Sequence, residues 1–90
     1  MEDRLIRRIQ KVLVEWNPLG DKKHTILDLN DYHTEAIDIA FQLGLVNSQP
    51  EAREAIRTVL NQAFDLDLSP VECKKPAKRI WARFNRLRAD

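Results

Sequence analysis

Two histidines and one cysteine are the side chains best suited to bind a metal or attack a substrate. The intervals between His24, His33 and Cys73 match no metal-ligand spacing. A single cysteine on a helix is more often a small core residue than a nucleophile. Gly20 and Gly44 are isolated, so the chain lacks a glycine-rich loop that could hold phosphate. We therefore predict no catalytic residue, no metal site and no cofactor.

A short acidic segment resembles the start of a calcium-binding loop. Asp65, Asp67 and Ser69 stand where the first three ligands of such a loop would be. The sixth position requires glycine and the twelfth requires glutamate, but this chain has Pro70 and Pro76 there. The mismatch favours a capped helix start with acidic neighbours.

Four carboxylates cluster at and along the predicted second helix. Asp31, Glu35 and Asp38 follow i, i+4, i+7 spacing, which places them on one helix face, and Asp28 comes shortly before them. The cluster is a candidate cation site or a docking patch for a basic partner. The alternative is a solvated face whose acids suit the N-terminal end of the helix dipole.

A third hypothesis makes Tyr32, His33 and Glu35 a small acid–base site. Only their closeness in the sequence favours it, because no further group with a defined role accompanies them. We therefore predict that the protein is not an enzyme.

Cations follow one face of the predicted last helix. Residues 28–72 carry two basic and nine acidic side chains, a net −7, whereas residues 73–90 carry seven and one, a net +6. The candidate basic contact surface consists of Lys74, Lys75, Lys78, Arg79, Arg83 and Arg86. It could bind nucleic-acid phosphate, the acidic middle of its own chain or a neighbouring molecule. Cations in a last turn also suit the helix dipole.

The spacing of apolar residues predicts an all-α fold, a compact irregular bundle of about four helices with a long ordered loop between the first two. The first helix, residues 2–16, has a 3.6-residue apolar period and ends before Asn17-Pro18, because a residue that precedes proline avoids the α region. The connection over residues 17–30 is apolar enough to lie on the core. A short extended piece at residues 25–29 is an alternative within it.

The second helix is predicted over residues 32–43, with Asn30 or Asp31 as its N-cap and Gly44 just past its end. Ile37 and Phe41 widen its apolar stripe to more than half of the circumference. A helix of this kind is usually covered on two sides, so we predict that it is the central helix.

Two serine-led capping boxes mark the starts of the last two helices. Ser48 precedes Glu51 by three residues, as Ser69 precedes Glu72, and a proline follows each serine in the first turn. Pro76 lies inside the last segment, where a proline removes a hydrogen bond and costs about 3 kcal/mol. We predict a helix break there, with a kink as the alternative.

The junction between the first two helices carries a structural motif. Trp16, Pro18 and Gly20 belong to Trp-Asn-Pro-Leu-Gly, and Tyr32 follows an acidic residue. Over about residues 5–43 the chain resembles a family of small bacterial helical proteins of unknown function, which carry Trp-Asp-Pro-(Ile/Leu)-Gly and then an acidic-Tyr motif. Asn17 replaces the usual Asp, and the basic end lies outside the pattern. The resemblance implies a compact helical domain without an established activity.

The chemistry of this junction predicts a structural hinge. Trp16 should end the first helix on the core face, while Pro18 and Gly20 turn the chain. Leu19 can then tuck into the core, and the Tyr32 hydroxyl is available to a loop carbonyl.

Length and composition predict a single helical domain over residues 1–90. The start of the chain is charged from its second residue and has no apolar signal segment, and no apolar run approaches the ~20 residues of a membrane span. With one cysteine, no internal disulfide forms. We expect a cytoplasmic protein with no membrane segment and no small-molecule substrate.

These features favour a non-enzymatic protein-interaction module that binds another protein, or itself, through a polarised surface. The alternative is nucleic-acid binding through the basic C-terminal helix.

Overall fold

Four α-helices form the frame of the protein in the computed structural model, which describes residues 3–26 and 28–89. α1 spans Asp3–Trp16, α2 spans His33–Leu43, α3 spans Gln49–Phe64 and α4 spans Pro70–Ala89. The described ranges contain no strand, and the predicted all-α class is confirmed. Residue 2, where the first helix was predicted to begin, lies outside them.

The helices pack as a ring in which each one contacts mainly two neighbours. α1 packs on α2 and α4, and α3 packs on the same two helices. The α1–α4 seam and the α2–α3 seam therefore lie on opposite sides of the bundle. The prediction that α2 is the central helix is wrong, since its Phe41 side chain is 58% exposed. No helix in the described part of the chain is long and apolar enough to cross a membrane.

The core is built from the apolar faces that the sequence periodicity predicts. Side chains from all four helices meet there without solvent contact, among them Ile9, Leu13, Ile39, Leu43, Ile56, Leu60 and Ile80. Burying each such side chain contributes about 1.5–3 kcal/mol, so the ring of helices is stabilised mainly by this shared interior.

The capping box at the start of α4 is confirmed in both directions. The Glu72 N–H donates to Ser69 Oγ over 3.2 Å, and the Ser69 N–H donates to Glu72 Oε2 over 3.2 Å. At the start of α3 the Glu51 N–H donates to Ser48 Oγ, but the Glu51 carboxylate accepts from Asn47, one residue earlier than the box requires. Both serines therefore cap their helices, and only Ser69 belongs to a fully reciprocal box.

Replacing Ser69 by alanine is expected to lower the free energy of unfolding by about 1 kcal/mol, because the first turn of α4 loses its side-chain acceptor. Urea denaturation followed by circular dichroism measures the change. Thr58→Ala, on the exposed side of α3, is the matched control and should change stability by less than about 0.5 kcal/mol. Equal stabilities of Ser69→Ala and the control would contradict a capping role.

Pro76 lies inside α4, which continues through it from Pro70 to Ala89, so the predicted break is wrong. The proline cannot donate to the carbonyl four residues earlier, at Glu72. The Pro76 ring is buried, and Cys73 and Ala77 beside it are almost fully enclosed. This burial of apolar surface offsets the missing hydrogen bond and keeps the helix in one piece.

The connection between α1 and α2 lies on the core, as its apolar residues predict. Leu19 is buried, and Ile26 and Leu29 pack against the core cluster. A 3₁₀ helix over Gly20–Thr25 takes up part of the length, and no extended strand forms in the described part of residues 25–29. Leu27 belongs to both predicted segments, the loop over residues 17–30 and the extended piece over residues 25–29, but it lies outside the described residues.

α2 begins after three successive residues in the left-handed region. Asn30, Asp31 and Tyr32 have φ angles of 47°, 54° and 64°, each of which costs about 1–2 kcal/mol for a non-glycine residue. Tyr32 is the N-cap and makes no capping bond through its side chain, so the predicted cap at Asn30 or Asp31 is wrong. Gly44 follows α2 as predicted, but with right-handed backbone angles.

Candidate functional site

The Tyr32 side chain ties the two sides of the α1–α2 junction together. Its hydroxyl donates to Asn17 Oδ1 over 2.9 Å and accepts the Leu19 N–H over 3.4 Å. Its ring meets the Phe64 ring edge-on at 6.0 Å between centroids. The predicted carbonyl partner is therefore wrong, because the side-chain oxygen of Asn17 takes that place.

The other residues of the structural motif support this contact. Trp16 is half-buried at the end of α1 and packs against the core cluster, and Pro18 is also half-buried. Gly20 has a φ of 58°, a left-handed angle that glycine adopts without strain. The chain can thus return toward Tyr32 immediately after α1.

The acidic cluster does not form one solvated face. Asp28, Asp31 and Asp38 are exposed, but Glu35 is 9% exposed, and its Oε1 accepts no hydrogen bond from the described residues. Burial raises the pKa of the Glu35 carboxyl, and the charges of Asp38 and Asp28 raise it further, against a smaller lowering by its own backbone N–H. The patch therefore presents three exposed carboxylates and one buried one.

The remaining chemical candidates are dispersed or engaged elsewhere. His24 and His33 are exposed, whereas Cys73 is fully buried, and burial raises the pKa of its thiol to about 11. In the proposed acid–base group, Tyr32 and Glu35 are buried while His33 is exposed to solvent. Among the described residues no three His, Cys, Asp or Glu side chains are grouped so that they could hold a metal ion.

The segment that resembles a calcium loop is bound to α3. Asn61 accepts from the Leu68 N–H over 2.9 Å, and both Asn61 and Arg57 donate to the Leu68 carbonyl. Asp65 is the left-handed C-cap of α3, and Ser69 is used to cap α4. These polar groups serve the turn between two helices.

The predicted basic face is exposed, and α1 extends it. All six of its members are exposed on α4: Lys74, Lys75, Lys78, Arg79, Arg83 and Arg86. A groove of about 320 Å³ between α1 and α4 is lined by Arg8, Lys11, Val12, Glu15, Arg79, Ala82, Arg83 and Arg86. Arg79 pairs with Glu15 of α1 over 2.7 Å, so its ion-pair partner comes from α1 and not from the acidic middle. We call the groove between α1 and α4 the basic groove.

A second groove, of about 500 Å³, lies between α2 and α3 on the opposite side of the bundle. Its lining is mainly apolar and has one charged residue, and it consists of Ile37, Asp38, Phe41, Gln42, Val59, Gln62 and Ala63. We call this the apolar groove. The sequence signal for this groove is the unusually wide apolar stripe of α2, which predicts cover on two sides, whereas Phe41 is exposed.

The described residues thus form a small all-α bundle whose surface has a basic groove and an apolar groove. Comparison with protein-family models, curated proteins and solved structures found no match to the chain.

Proposed function

We propose that the protein is a non-enzymatic interaction module that binds a partner protein through the apolar groove. The observation that carries this proposal is the Phe41 side chain, which is 58% exposed. Covering an aromatic side chain is worth about 1.5–3 kcal/mol, which a partner gains on binding. Aromatic residues are enriched in the cores of protein interfaces and among the residues that dominate binding energy.

The chemistry of the apolar groove favours an amphipathic helix that carries a cation. Ile37 and Val59 are half-buried beside Phe41 and can receive apolar side chains spaced along one face of a helix. Asp38 is the charged residue of the lining and can pair with a lysine or arginine at the edge. The net charge of −7 over residues 28–72 would steer such a basic partner toward this side.

Replacing Phe41 by aspartate is expected to weaken capture of the partner by about 30-fold, since removing an anchor of this kind costs about 2 kcal/mol. Affinity capture followed by titration with the recovered protein measures the loss. Val71→Asp is the matched control, because Val71 is 82% exposed on α4 and does not line the apolar groove. A photo-crosslinking residue in place of Phe41 should label the same partner.

Unchanged binding by Phe41→Asp would contradict the proposal, as would equal loss with Val71→Asp.

A second copy of the chain is a competing occupant, since the cations of one molecule could approach the acidic side of another. Light scattering distinguishes the two cases, because a second copy would raise the molar mass of the protein alone.

The proposal also places the protein in the cytoplasm, where its single cysteine would remain reduced.

A further inference from the structure

We propose that the basic groove binds the phosphate backbone of duplex nucleic acid. It brings together cations that are far apart in the sequence, Arg8 and Lys11 from α1 and three arginines from α4. Against these five positive charges the lining has one carboxylate, Glu15. The site is therefore a strongly positive channel that neither helix forms alone.

The two rows of cations face each other across the groove. Glu15 near the end of α1 pairs with Arg79, and the lining then runs forward on α4 to Arg86 and back on α1 to Arg8. The helices are thus antiparallel along this seam. The α4 row spans about 10 Å at 1.5 Å per residue. With one phosphate for each of its three arginines, the row contacts about three phosphates.

The lining favours phosphate over other anions. Four of its five cations are arginines, whose planar guanidinium groups bind phosphate oxygens in pairs. Its apolar members, Val12 and Ala82, offer little exposed apolar surface to the anchoring side chains of an acidic peptide.

A duplex suits the groove better than a single strand. Single-strand binding usually relies on aromatic rings that stack on bases, and no aromatic residue lines this groove. Trp81 is half-buried, Phe84 is buried, and neither of them lines the groove. Contacts confined to the backbone also predict binding that is independent of base sequence.

The cations of the groove are available for such contacts. Arg8, Lys11, Arg83 and Arg86 make no ion pair with any described residue, and the Arg79 side chain remains 52% exposed beside Glu15. Glu15 orients Arg79 but repels phosphate, so it lowers the affinity of an otherwise complementary surface.

Fluorescence anisotropy with labelled 20-base-pair DNA and RNA duplexes tests the proposal on the full chain. Saturable binding is expected at 50 mM salt, with a log–log salt slope of about −3 for roughly three phosphates. The double variant Arg83→Gln, Arg86→Gln should weaken binding at least about tenfold. The control variant Lys22→Gln, Lys23→Gln removes the same charge outside the groove and should change affinity less than about threefold.

Glu15→Gln provides a test in the opposite direction, because removing the repulsion should tighten duplex binding severalfold. Circular dichroism confirms that each variant is folded. Absent binding at 50 mM salt, or equal losses in the groove and control variants, would overturn the proposal. So would tighter binding of a poly-glutamate peptide, or of vesicles containing phosphatidylserine, than of either duplex. Phe41→Asp should leave duplex binding unchanged, which separates this inference from the proposed protein interaction.

Discussion

Replacing Tyr32 by alanine is expected to lower the free energy of unfolding by about 3–5 kcal/mol, the usual cost of deleting a large buried aromatic side chain. Tyr32 is 2% exposed, packs edge-on against Phe64 and is held in a left-handed backbone conformation. Small domains are stable by only about 5–15 kcal/mol, so the variant should be partly unfolded near 37 °C. Urea and thermal denaturation followed by circular dichroism measure the loss.

Tyr32→Phe isolates the contribution of the hydroxyl. It keeps the ring but leaves the buried Leu19 N–H without its acceptor, for an expected cost of about 1–3 kcal/mol. Asn17→Asp is the matched variant, because it retains the side-chain oxygen that accepts from Tyr32, and it should cost less than Tyr32→Phe. Wild-type stability of Tyr32→Phe would show that the hydrogen bonds do not hold the junction.

Replacing Glu35 by glutamine is expected to stabilise the protein by about 1–2 kcal/mol at pH 7, since a buried charged oxygen without a partner is costly. The pKa of the Glu35 carboxyl is raised in the folded protein above its ordinary value of 4.5. Between these two pKa values the folded state binds the proton more tightly than the unfolded state. The contribution of Glu35 to stability is therefore present below pH 4.5 and is lost as the pH rises through the folded-state value.

The difference in unfolding free energy between Glu35→Gln and wild type should accordingly increase from pH 4.5 to pH 7. Chemical denaturation at intervals across this range measures it, and the subtraction removes contributions from the other carboxyl groups. Asp21→Asn, which replaces an exposed acid in the 3₁₀ helix, is the control and should leave the stability at pH 7 within about 0.5 kcal/mol of wild type. A glutamine variant that is no more stable than wild type at pH 7 would contradict the burial of an unpaired carboxylate.

Local signals in the sequence were sufficient for most of the helix boundaries. Ser48 and Ser69 mark helix starts because each hydroxyl accepts the backbone N–H three residues later. This contact depends only on residues that are close in the sequence. Pro76 shows the limit of local rules. Its cost is a property of the helix alone, but its compensation comes from burial in the assembled core, which the sequence pattern does not display.

The periodicity of the side chains also did not predict which apolar residues would remain exposed and which charged residues would be buried. Phe41 belongs to an apolar stripe that is wider than the neighbours of α2 can cover, and Glu35 turns inward although its spacing matched that of exposed acids. Both outcomes depend on where α1 and α3 lie against α2. This arrangement is set by the packing of the whole core.

The sequence by itself determined an all-α domain, the starts of its last two helices and its division into acidic and basic segments, because these follow from composition and short-range chemistry. Only the tertiary structure decided that Arg8 and Lys11 of α1 stand beside the arginines of α4, and that the apolar groove lies on the opposite side. The physical reason is that a helix face has a direction only relative to its neighbours, and those neighbours are chosen by the burial of the shared core.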